Sequence, residues 1–351
     1  MQRVLVFIFL IYSGSLLSCE PFFNSQVVKN TYAKYFKLYR NNSGWFIDIL
    51  DRENAVKAKY SINIDKNCDG VKSLTPGKRV GISSSTYLPY LESIDVLKYV
   101  THVAGKKYLH GHFDLKKRTV ELGENLNIEN ILKANMSALF GYSLNNSSKD
   151  LFSQLSKLNY PIVTIHEFLE ASALARLEWL KVFGIIFGEY DKALTVFREI
   201  ENRYKKEINI KFNKKVLIAQ EYEGSWYVPG NNSFLYQMLN SLGCTVLLSE
   251  DKKGRTKVNR EEIIKALDKS SVWFPQSNVT SRKRLLKYLG VEQSGYEKLK
   301  IFNISKKIDK NGSNDFWQSG VFRPDLVVKD LKIILSGGAP GLEALRWYEE
   351  L

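Results

Sequence analysis

Three cysteines in 351 residues, at positions 19, 68 and 244, are too few for a disulfide framework, and their spacing suits no structural zinc site. Cys68 and Cys244 fall in what read as different lobes, so no bridge between them is expected. The chain also lacks a phosphate loop, a dinucleotide glycine pattern, a serine nucleophile elbow and a zinc-protease helix. Ser336-Gly-Gly-Ala-Pro-Gly341 is rich in glycine, but it follows a helical pattern instead of linking a strand to a helix, which argues against a phosphate cradle. No acid–base pair or nucleophile set supports catalysis, and no enzyme activity is expected. The net charge of +14 comes from scattered lysines without a basic stripe or an RNA-binding signature. A lysine and asparagine bias accounts for it, or attraction to an anionic membrane face; no nucleic-acid partner is expected.

What the chain does have begins at its first residues. Arg3 precedes an apolar run from Val4 to Tyr12, well short of the roughly 20 residues needed to span a bilayer. Leu16-Leu-Ser-Cys19 follows and resembles a bacterial lipobox, in which the cysteine thiol is acylated and becomes the first mature residue. Residues 1–18 therefore read as a lipoprotein signal peptide and Cys19 as the lipidation site. The remainder reads as a lipid-tethered protein outside the cytoplasm, in the periplasm or cell envelope.

Period-two alternation runs through Tyr35–Tyr39, Gly44–Leu50 and Ala58–Ile64, broken by Asn41-Asn-Ser-Gly44. This predicts a β-rich extension, with the tether, over residues 19–76. Short apolar strands then alternate with helices: strands at 79–83, 100–104, 140–142 and 161–165, and helices at 89–100, 129–139 and 149–158. That order predicts an α/β lobe over 77–188 with a mostly parallel sheet. Ala171 to Ile208 holds no proline and carries glycine only at 184 and 188. Two helices with a break near Gly188-Glu189 are expected. The second, Glu189 to Glu207, would span roughly 28 Å and link two lobes. A second α/β lobe is expected over 208–351: strands at 215–220, 245–248, 272–274 and 299–304, helices at 234–242, 261–267, 281–289 and 326–335, and a closing helix at 342–351.

Two aromatic loops stand out, Gly224-Ser-Trp-Tyr-Val-Pro-Gly230 and Asn314-Asp-Phe-Trp317. Loops at the carboxyl ends of parallel strands bind ligands in open α/β sheets. Trp226, Tyr227 and Trp317 offer flat faces with one polar handle each, suited to a bulky amphipathic ligand. They could equally pack between lobes as core; their glycine-rich settings favour a pocket. Tyr87, just after the serine-rich loop Ser83–Thr86, joins them as a ligand-contact candidate. Arg176 either holds an anionic chelate by a forked hydrogen bond, or pairs locally with Glu178, or lies on a solvated face. His110, His112 and His166 are the candidates for a bare zinc or manganese ion, against an ordinary polar loop.

These pieces resemble, in order and spacing, the helical-backbone substrate-binding proteins of ABC importers for iron-siderophore, haem and cobalamin. The stretches that carry the resemblance are Arg79–Ser85, Asn127–Leu132, Arg176–Lys181, Gly224–Gly230, Asn314–Trp317 and Arg323–Val327. It implies two Rossmann-like α/β lobes joined by one long helix, with a metal chelate held in the cleft between them. It also implies one exposed glutamate on each lobe facing arginines of a permease dimer and its ATPase. By position these are Glu129 and Glu261, with Glu262 as the fallback for the second. The Leu-x-Pro-Asp-Leu-Val stretch usual after the first glutamate is Lys133-Ala-Asn-Met-Ser-Ala-Leu139 here, and the closing His-Pro is Ser336-Gly337. The resemblance thus implies a monomeric carrier of a ferric or cobalt chelate with no resident cofactor or metal.

Overall fold

The computed structural model of the protein describes residues 25–62, 70–75, 77–124, 126–142, 150–251, 254–338 and 341–351. The expected signal peptide over residues 1–18, Cys19 and Cys68 lie outside the described residues. Cys244 is buried and free.

The alternating N-terminal stretch builds a five-stranded sheet from Gln26–Val28, Phe36–Asn41, Gly44–Leu50, Val56–Ile62 and Lys72–Leu74. All pairings are antiparallel except the last. The Asn41 side chain accepts hydrogen bonds from the Ser43 and Gly44 amides and so closes the two-residue turn. Tyr60 docks this sheet on the first lobe: its hydroxyl meets the amide of Thr164 at 3.0 Å.

The first lobe centres on five parallel strands in the order Ile162–Thr164, Ala138–Gly141, Val80–Ile82, Val100–Val103 and Val120–Glu121. The helix expected over 89–100 ends at Ser93. Asp95 adopts a left-handed conformation with φ of 59°, and the chain resumes as a single 3-10 turn, Leu97–Tyr99. A short helix over Phe113–Arg118 carries no clear apolar period and is absent from the sequence expectation.

The second lobe has the strand order Thr245–Leu247, Lys215–Ile218, Val272–Phe274, Lys300–Asn303 and Glu349–Glu350. Its first four strands are parallel and the last is antiparallel. The closing helix expected over 342–351 does not form; only the turn Leu342–Ala344 is helical. The buried carboxylate of Asp330 accepts the amides of Arg346 and Trp347, which holds the last residues extended and buries Trp347 and Tyr348.

Between the lobes the chain runs through helices Leu180–Phe187 and Tyr190–Glu207. They break at Gly188, whose φ of 75° ends the first helix. Gly184 lets the two helices touch, since a Cβ there would lie 2.5 Å from that of Ala193. The long helix buries Ala193, Phe197, Ile200 and Tyr204, a stripe at intervals of three and four. At about 27 Å it packs on helix Leu180–Phe187 of the first lobe and helix Pro324–Leu335 of the second. Arg203 reaches Asp325 at 2.9 Å and Lys332 reaches Glu207 at 2.6 Å. The architecture is therefore α/β, two lobes joined by a single long helix, with an N-terminal β extension.

Candidate ligand-binding site

The lobes meet where their strands end. Gln318 donates to the His110 carbonyl and accepts from the His110 amide, both at 3.0 Å, and Ser313 donates to the Tyr108 carbonyl at 2.7 Å. Tyr90 packs edge-on against Phe322 at 4.8 Å. Beside these contacts lies a cavity of about 200 Å³. Arg176 lines it from the first lobe, and Tyr227, Phe234, Arg255, Gln276 and Trp317 line it from the second. Ile218 ends one parallel strand at its wall and Gln276 follows another, so the space sits at the carboxyl ends of the second sheet.

Arg176 is set by its own lobe. Ser172 caps helix Ala173–Glu178, and Nε and Nη2 of Arg176 donate to the carbonyls of Glu170 and Phe168 at 3.0 and 3.2 Å. Its guanidinium stands 5.1 Å from the centre of the Phe234 ring across the lobe boundary. The expected alternative of a local pair with Glu178 is not what forms. Glu178 instead binds Lys181 at 2.5 Å and accepts the amides of Thr31, Tyr32 and Ala33. Glu167 lies behind Arg176. One of its oxygens accepts from Thr86 at 2.9 Å and the other is buried without a partner among the described residues. Burial pushes its pKa up to about 7, against the opposing pull of Thr86 and the Arg176 charge.

The aromatic residues divide. The segment expected as the loop Gly224–Gly230 is mostly strand: Ser225–Pro229 pairs with Gln220–Tyr222 and Arg255–Val258 in a three-stranded antiparallel sheet. Successive side chains therefore point to opposite faces. Tyr227 faces the cavity, and Trp226 turns into the core of the second lobe, 3% exposed, with its ring 5.8 Å from Trp273. Tyr87 is likewise fully buried, 5.9 Å from Phe183, beneath the first-lobe surface. Neither Trp226 nor Tyr87 lines the cavity, which corrects the expectation for both. Trp317 lies in a single π-helical turn, Phe316–Gly320, and is 43% exposed at the rim.

Arg255 is the cavity residue that the sequence reading missed. It belongs to the third strand of the small sheet and lies 4.4 Å over the Tyr227 ring and 5.1 Å over that of Tyr222. Phe234 and Gln276 were missed as well. Their signal was positional only: one follows the aromatic loop and the other follows a predicted strand.

The histidines are not brought together. His110 is at the lobe boundary, 3.7 Å from Asp315. His166 is buried against the Leu50 carbonyl, and burial lowers its imidazole pKa. Among the described residues no group of three histidine, cysteine or acidic side chains could hold a metal ion. A larger space of about 320 Å³ lies between the N-terminal sheet and the first lobe. Lys57 there pairs with Asp51 at 3.1 Å, and Lys72 donates to the Ser156 hydroxyl at 2.9 Å.

Glu129 and Glu261 are exposed in the first turns of helices Ile128–Ala134 and Arg260–Leu267, one on each lobe. Glu262 instead closes a capping box with Asn259, so its carboxylate already has a local partner.

Two α/β lobes on one long helix, with a cavity at their junction, define a two-lobed solute-binding protein. Residues 98–287, more than half of the chain, match the periplasmic binding protein family, and the chain belongs to it. It is similar to an uncharacterised lipoprotein of Methanocaldococcus jannaschii, at 29% identity over 87% of this chain and 81% of the relative. Among solved structures, it resembles the periplasmic heme-binding protein RhuT from Roseiflexus sp. RS-1. The identity is 14%, with 74% of this chain and 98% of that one covered and a TM-score of 0.56. It also resembles FeuA from Bacillus subtilis, a triscatecholate siderophore binding protein solved with ferri-bacillibactin. There the identity is 14%, the coverage 75% and 94%, and the TM-score 0.54. Among the described residues no helix is long and apolar enough to cross a membrane.

Proposed function

We propose that the protein is the substrate-binding component of an ABC importer, capturing a metal chelate and delivering it to a membrane permease. The chelate is a ferric siderophore, haem or cobalamin. The observation that carries this reading is a single cavity walled by Arg176 from one lobe and by Tyr227 and Trp317 from the other. Aromatic faces and a few placed polar groups are what a bulky amphipathic ligand requires. The cavity is small beside the roughly 300–1,000 Å³ of common ligand sites. A chelate seated there projects past the Arg255 and Trp317 rim into solvent. Membership of the periplasmic binding protein family, with heme and siderophore binders among its structural neighbours, supports the same reading.

Glu129 and Glu261 serve as the permease contacts, one per lobe. Two separated charge pairs favour orientation and encounter rate more than raw affinity. Cys19 carries the lipid that keeps the protein at the membrane, outside the cytoplasm. The test is a fluorescence titration of the purified protein with a ferric siderophore, haem and cyanocobalamin. At least one should quench tryptophan emission, and the response should shrink in Trp317→Ala. Silence with all three overturns the reading.

A further inference from the structure

We infer that the ligand is a chelate with at least two anionic groups, held between Arg176 of one lobe and Arg255 of the other. This rests on the chelate reading of the cavity and narrows it. Both guanidinium groups line the same space, and neither forms an ion pair within 4.0 Å of a carboxylate among the described residues. Each is held by aromatic faces, Arg176 over Phe234 and Arg255 over Tyr227 and Tyr222. Arg176 spends Nε and Nη2 on carbonyls, which orient it without neutralising it.

Among the described arginines only Arg203 and Arg323 reach a carboxylate, sharing Asp325, so what sets Arg176 and Arg255 apart is that both line one cavity whose wall carries no aspartate or glutamate. Two unpaired arginines facing one cavity from opposite lobes therefore call for the counter-charge to come with the ligand. The carboxyl groups that act on Arg176 are Glu170, whose side chain is already taken up by the amides of Lys34 and Tyr35, and, more strongly, Glu167. Burial pushes the Glu167 pKa up to about 7, so it is only part-ionised at neutral pH and offsets Arg176 in part. The Ser233 hydroxyl, at the start of helix Phe234–Ser241, is a third donor on the cavity wall; it is buried and has no partner among the described residues. A guanidinium fork suits carboxylate or catecholate oxygens and rejects a cationic rim.

The experiment compares three probes on the purified full chain by equilibrium titration at low and moderate salt. Ferric tris-catecholate is anionic, ferrioxamine B carries a pendant ammonium group, and cyanocobalamin lacks free carboxylates. The expected result is that the tris-catecholate binds at least tenfold more tightly than the other two and weakens as salt rises. Arg255→Gln, at an exposed rim position, should cost that probe about tenfold, and Arg176→Gln at least as much. If ferrioxamine B or cyanocobalamin binds as well and Arg255→Gln leaves binding unchanged, the charge assignment is overturned while the chelate reading stands. If neither these probes nor haem, which carries two propionates, binds, both are overturned.

Discussion

Arg176 and Phe234 face each other across the lobe boundary, guanidinium to ring at 5.1 Å. This contact joins the cavity wall of one lobe to the first turn of a helix in the other. One side chain, Arg176, thus both lines the cavity and touches the other lobe. Phe234 is 5% exposed and meets Phe316 edge-on at 6.4 Å. Phe234→Ala should therefore lower unfolding free energy by about 3 kcal/mol and weaken chelate binding at the same time. Urea denaturation and ligand titration on one preparation check both effects. Loss of binding without loss of stability would mean that the ring serves the ligand alone.

Glu167 gives the fold a pH dependence of known sign. Its pKa is about 7 in the folded chain against an ordinary value of 4.5. The folded state thus holds a proton that the unfolded state releases. The contribution is complete below about pH 4.5 and is lost as pH rises through 7, by on the order of 3 kcal/mol. Glu167→Gln should flatten that part of the stability profile between pH 5 and 8. Parallel slopes for the variant and the natural chain would show that the carboxyl is ionised in the folded protein.

Glu178 ties the N-terminal segment to the lobe that it precedes. With its side chain fully buried, it accepts three amides, from Thr31, Tyr32 and Ala33, and the ammonium of Lys181. Glu178→Ala would leave a buried cation and three donors unmatched, at a cost of about 3–5 kcal/mol. Limited proteolysis should then cut near residues 29–35 well before the lobes unfold. An unchanged digestion pattern would contradict the strap.

Glu129→Ala and Glu261→Ala should leave chelate affinity unchanged, because neither residue lines the cavity. Each should reduce stimulation of the partner ATPase by about tenfold, with a stronger effect at low salt. Reconstitution with the permease in liposomes reads this directly. Full stimulation by the double variant would remove these residues from docking.

The sequence made the strong periodicities legible. The N-terminal hairpin follows from alternation around Asn41–Gly44, and the break between the two linking helices follows from Gly188. The site was legible only in part, and Trp226 shows why. Read as a loop, Gly224–Gly230 allowed Trp226 and Tyr227 to share a ligand. As strand Ser225–Pro229 it separates them to opposite faces. The same strand needs a partner at Arg255–Val258, whose Arg-Thr-Lys-Val pattern is too short and polar to announce a strand, and so Arg255 went unseen. Tyr87 failed for a related reason: a ring beside a cleft loop can point inward, and only packing against Phe183 decides its direction. The last ten residues lost their expected helix to a tertiary contact, the buried carboxylate of Asp330, that no local pattern encodes.

The most direct test is the position of the metal. Crystals grown with a ferric catecholate chelate and measured at the iron absorption edge should show one anomalous peak in the space between Arg176 and Trp317. A peak beside His110 and His112, or none within reach of either lobe's cavity wall, would contradict the account.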